Sequence, residues 1–232
     1  KTYYMEVYSK KTSLTLKLNL YSYDDFYSKE LFHQIILSLF FGAMIILALY
    51  NLSIFFMIRD ISYFYYVAYI VTLVVHHLLY VGFANLYIFN SYLMQYIVDY
   101  AAIFIALPVL FLALFSKSFL QTSQYRKINL ILNFLISLLI LSVIFFIFTN
   151  YFEKYRNVIP IFVMVYLFFI TLYSFFKKNT QAKLILFGWG AILFAGLVMY
   201  LSGAGIISVD LSSYYVVEIS FVLEAFFTRS FW

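Results

Sequence analysis

Residues 31–58 carry no aspartate, glutamate, lysine or arginine, and neither does the stretch between Asp60 and Asp99. A helix needs about 20 mainly apolar residues to cross a hydrocarbon core about 30 Å thick. Runs of this kind, repeated along the chain, leave few folds open. A soluble domain would have to hide them from water, and a chain of 232 residues cannot, because folded domains still expose a large share of their surface. Composition agrees: 66% of residues are hydrophobic and 11% charged, where soluble domains hold about 45–50% and about 25%. The implied class is an all-α membrane protein, and its first partner is the lipid bilayer.

The uncharged runs predict a seven-transmembrane helix bundle, with spans at about 31–58, 62–83, 96–117, 128–149, 157–176, 183–203 and 213–232. Gly82, Asn85, Asn90 and Ser91 supply the break between the second and third spans. Pro108 falls inside the third, which membrane helices tolerate. Arg59, Lys117, Arg126, Lys127, Lys177, Lys178, Lys183 and Arg229 fall on one side of these spans, against only Lys154 and Arg156 in the opposite short loops. By the positive-inside rule the amino end is outside and the carboxyl end cytoplasmic.

Ahead of the first span, Leu14, Leu16, Leu18 and Leu20 alternate with polar residues, as do Tyr3, Met5 and Val7. This period of two predicts a half-buried strand pair turning at 10–13. A lone hairpin is marginal in water. Residues 1–30 are therefore expected to be the last strands of an extracellular β-sandwich domain, and residues 31–232 the helical membrane domain. The chain opens at Lys1 with no signal peptide pattern, so a piece of a longer protein is expected.

Ionisable groups inside a bilayer are costly and are candidates for ligand binding or signalling. Asp99 and Glu218 lie within about two turns of the outer surface, where a wet rim or an interhelical hydrogen bond would satisfy them. Glu224 sits about 17 Å into the seventh span and must face other helices or be protonated. His76 and His77 are adjacent and so point about 100° apart on a helix, unlike an i, i+4 metal pair. Packing and hydrogen bonding suit them better than ligation, although His33, on the same outer side, could share a site with His77. No metal site and no cofactor is expected. The chain has no cysteine, which removes thiolate chemistry. It has no HExxH, and no lysine within the seventh span for a retinal Schiff base. The formal charge of +5 lies at span edges and forms no patch, which argues against nucleic acid.

Phe41-Gly42, Tyr50-Asn51-Leu52, Phe55, Arg59-Asp60, Tyr63 and Tyr66 resemble the first two spans of the bacterial seven-transmembrane receptors with diverse intracellular signalling modules. Gly82 with Tyr87, Phe119-Leu120, Trp189, Gly196, Tyr200, Gly205 and Glu224 follow in that family's order. Tyr50, Asn51, Arg59, Asp60, Tyr63 and Trp189 then stand as structural motif positions. The resemblance implies a multi-pass receptor of the bacterial inner membrane, working as a homodimer. It also implies an extracellular ligand, carbohydrate among the candidate classes, and a cytoplasmic signalling module joined in cis.

On this reading the chain is not itself an enzyme but a relay in which an outer stimulus shifts the bundle and the seventh helix carries the shift to the output. From Ser213 to Trp232 that helix has no glycine or proline to bend at. The alternative is a small transporter or channel that uses Asp99, Glu218 and Glu224 as a proton path.

Overall fold

The computed structural model describes residues 20–90, 92–93, 96–97, 100–149, 155–179, 182–183, 185–186, 188, 215 and 218–223. Every regular element among them is helical. Among the described residues five helices are long and apolar enough to cross a membrane: α1 Tyr23–Ile58, α2 Ile61–Tyr80, α3 Ala101–Phe119, α4 Arg126–Phe148 and α5 Val158–Phe176. The sixth and seventh expected spans lie mostly outside the described residues, although Ala182, Lys183 and residues 218–223 are helical. The expected strands over 3–7 and 14–20 fall outside them, except for Leu20, which is in no regular element.

α1 begins at Tyr23, ahead of the expected boundary at 31, so the last residues assigned to a β domain are helix. The local chemistry explains this. Ser22 is in extended conformation and its Oγ accepts the Asp25 amide at 3.2 Å, while Asp24 and Asp25 place negative charge at the positive end of the helix dipole. At about 1.5 Å per residue the 36 residues of α1 reach about 54 Å, well beyond a hydrocarbon core of about 30 Å. The polar first turns therefore stand clear of it.

The turn from α1 to α2 consists of Arg59 and Asp60. Arg59 closes α1 in the left-handed region at φ 61°, its amide donating to the Phe55 carbonyl at 2.8 Å, and Asp60 caps α2 by accepting the Ser62 amide at 2.8 Å. The motif pair is thus a C-cap followed at once by an N-cap. Gln121 and Lys178, at the ends of α3 and α5, adopt the same left-handed turn at φ 49° and 61°. Alternating helix directions bring these three turns to one end of the bundle, hereafter the basic end. Gly82 lies at the other, the histidine end, at φ 77° with open space where a side chain would go. It is required there for its backbone conformation, not for close packing.

α2 is the central helix, packed on α1 and most extensively on α3, which in turn contacts α4 and α5. The core runs through Leu37, Met44, Ile70, Ala113, Leu132 and Leu167. Polar side chains stitch the basic end together. Ser62 and Ser118 hydroxyls meet at 2.8 Å between α2 and α3, Lys117 donates to Asn133 at 2.6 Å between α3 and α4, and the Tyr166 hydroxyl donates to the Ile128 carbonyl at 3.2 Å between α5 and α4. Asn51 is buried and turns its amide onto the Leu47 carbonyl of its own helix at 2.8 Å. Tyr63 is buried and Tyr50 exposed. α4 lies at the rim: Leu132, Leu139 and Ser142 are buried, and Phe134, Leu141 and Phe148 face outward, as suits a helix whose solvent is lipid.

Candidate functional site

At the histidine end, α1 and α2 grip the start of the seventh expected span. His77 leaves the inner face of α2 three residues before its end, and its Nε2 stands 3.1 Å from Glu218 Oε1. Both residues are buried, at 4% and 6% exposure. The imidazole sits among aromatic rings from three segments: Phe40 at 5.0 Å and Phe41 at 6.0 Å from α1, Tyr80 at 6.3 Å from α2, and Phe221 at 6.0 Å from the helical turn that carries Glu218. Glu218 Oε2 is buried and meets no hydrogen-bonding group among the described residues.

A single hydrogen bond joins this pair. If the carboxyl is ionised the imidazole N–H donates to it, and if it is protonated its O–H donates to the ring nitrogen. In either arrangement, removing one partner strands the other in an apolar box, which makes the contact a specific lock between α2 and the 218–223 turn. Of the two arrangements expected for Glu218, a wet rim or an interhelical hydrogen bond, the structure has the hydrogen bond.

A second contact lies on the same segment. His33 of α1 faces the buried Tyr215 hydroxyl through Nδ1 at 3.2 Å, and Phe32 meets the Tyr215 ring edge-on at 5.8 Å. His33 and His77 thus do not join in one site. They hold positions 215 and 218 separately, one from each of the first two helices. Beside them Gln34 donates to the Tyr87 hydroxyl at 2.6 Å, which ties α1 to the short helix Phe83–Tyr87. Among the described residues no group of three histidine, aspartate or glutamate side chains comes close enough to hold a metal.

His76 points away from this lock, as adjacent residues on a helix must. It is half-buried, stacks on Tyr80 at 6.4 Å and lines a cleft between α2, α3 and α5. Asp99, Glu224 and Trp189 lie outside the described residues. Tyr215 and Phe221 were not legible as site residues: Tyr215 reads as one of many interfacial tyrosines, and Phe221 as one apolar residue in an apolar helix. The period of the helix offered one signal, since Glu218 and Phe221 are three apart and share a face.

The helices, their apolar rims and the buried polar lock define a multi-pass helical membrane domain. Its family follows from the chain itself: residues 33–230 match the 7TM diverse intracellular signalling family, and the chain belongs to that family. It is the membrane domain of a signalling receptor family, a receptor-type domain and not itself catalytic. No curated protein and no solved structure matches the chain.

Proposed function

We propose that this domain relays an extracellular signal through a seven-helix bundle to an output module on the cytoplasmic side, with the seventh helix as the carrier. The observation that supports this most directly is the double grip on residues 215–218, by His33 of α1 and by His77 of α2. A stimulus that moves α1 relative to α2 cannot satisfy both contacts without moving the segment that carries Tyr215 and Glu218. Differential contact of that kind is what a ligand needs in order to shift a population.

The basic end faces the cytoplasm and the histidine end faces outward, by the asymmetry of lysine and arginine. The residues ahead of α1 then belong to an extracellular β domain that receives the ligand, carbohydrate among the candidates, in a homodimer of the bacterial inner membrane. In a full-length receptor, Glu218→Gln keeps a hydrogen bond to His77 and is expected to retain most ligand-dependent output. Glu218→Leu or His77→Leu breaks the lock and is expected to abolish the ligand response while the protein still inserts. Unchanged response in both leucine variants overturns the relay. Proton flux into proteoliposomes that stops with Glu218→Leu would instead favour transport.

A further inference from the structure

Between α2, α3 and α5 lies a cleft of about 440 Å³, inside the range of about 300–1,000 Å³ typical of small-molecule sites. It is lined at one end by Tyr80 and at the other by Tyr69, so it extends about 16 Å along α2. The shaft is apolar, walled by Leu73, Val109, Leu112 and Met164. Its polar groups are few. Arg156 and Asn157, immediately before α5, and His76 on α2 line the same cleft. Arg156 is half-buried and makes no hydrogen bond or ion pair among the described residues.

Half-buried Arg156, with no carboxylate bonded to it among the described residues and an apolar shaft beside it, asks for an anion attached to a hydrocarbon chain. The guanidinium offers a fork that a carboxylate meets with two parallel hydrogen bonds. The shaft offers burial to an acyl chain that water would not. We propose that this cleft binds a free single-chain fatty-acid anion, its carboxylate at Arg156 and its chain along α2 against Phe221.

Phe221 gives the site a consequence. It lines the cleft and also packs on the His77 ring, one helical turn beyond Glu218. A chain in the cleft therefore touches the same turn that the lock holds, and the domain would sense an amphiphile directly as well as through an outer domain. Only this effect on output rests on the relay proposed above; the binding does not.

The test uses the protein purified into nanodiscs of zwitterionic phosphatidylcholine, with a dansyl-labelled undecanoic acid as the fluorescent probe. Oleate is expected to displace the probe, and its uncharged methyl ester to compete at least about tenfold more weakly, because it lacks the charge-assisted bonds. Arg156→Gln is expected to weaken oleate by about tenfold, with Arg156→Lys in between. Ile161→Trp, placed on the exposed rim of the cleft, is expected to block the probe while the protein elutes unchanged from a sizing column. Equal competition by oleate and methyl oleate, or wild-type affinity in both Arg156→Gln and Ile161→Trp, overturns the site. Stronger competition by dioleoylphosphatidylglycerol than by oleate also overturns it, since the cleft would then seat a bilayer lipid. Because binding is read without an output module, its failure leaves the relay standing. A failed relay likewise leaves the binding standing.

Discussion

The two ends of the bundle are built on different plans. At the basic end the helices turn within a few residues, three of the turns close on left-handed residues, and hydroxyl and amide side chains cross-link α2 to α3 and α3 to α4. At the histidine end the polar contacts run between residues far apart in the chain, His33 to Tyr215 and His77 to Glu218, beside an open cleft. The first plan fixes helices that follow one another in the chain. The second joins α1 and α2 to positions 215 and 218, far along the chain, through single side-chain contacts that a small shift would break. A receptor needs one end that holds still and another that has two arrangements.

The sharpest way to break this contrast is Glu218→Leu. It leaves the His77 imidazole buried without its partner, at a cost of about 1–3 kcal/mol read from thermal unfolding in detergent. The double variant His77→Leu/Glu218→Leu is expected to recover part of that, giving a coupling of about 0.6–1.7 kcal/mol. Additive effects would mean that the lock carries no energy. Next in size is Gly82→Ala. A side chain at φ 77° costs about 1–2 kcal/mol, and the loss is expected in stability together with ligand response, since the turn holds Phe83–Tyr87 against Gln34.

The mirror experiment lies at the other end. Arg59→Gly relieves a left-handed residue at φ 61° and is expected to stabilise by less than about 1 kcal/mol, the gain being offset by the freedom glycine has when unfolded. Ligand-dependent output should not change. Ser62→Ala is expected to cost about 0.6 kcal/mol, the usual worth of an interhelical hydrogen bond in a membrane protein, again with output intact. A large signalling defect in either variant would erase the distinction between the two ends. The smallest effect is expected at the rim. Leu141→Ala on α4 trades leucine for lipid contact and should stay within about 0.5 kcal/mol.

Hydropathy located the first five spans because lipid selects for uncharged length, which a single sequence displays openly. It misplaced the start of α1. Asp24, Asp25, Lys29 and Glu30 look like a loop on a hydropathy scale, yet with Ser22 ahead of them they lie in the first two turns of a capped helix. The Arg59-Asp60 pair was visible as a motif, but its role as two abutting caps needed the backbone angles. The site was harder to read. Glu218 and His77 each stood out as polar groups in apolar runs, but nothing local says that residues 141 positions apart share a hydrogen bond. Arg156 was legible only as a topology marker, because a cation at a span edge has the same sequence context whether it meets a lipid headgroup or the mouth of a cleft.

The connector of Arg59 and Asp60 has a mechanical consequence. Two residues of extended chain reach at most about 7 Å, so α1 and α2 are pinned together at one extremity like hinged rods. Toward their far extremities they are pinned again, through His33 and His77, to the segment that carries Tyr215 and Glu218. Two helices and a segment joined at three points form a closed linkage, and such a frame has no sliding mode that belongs to one member alone. Any thrust on the protruding end of α1 is therefore divided between the other two members by geometry, or else one of the joints must open.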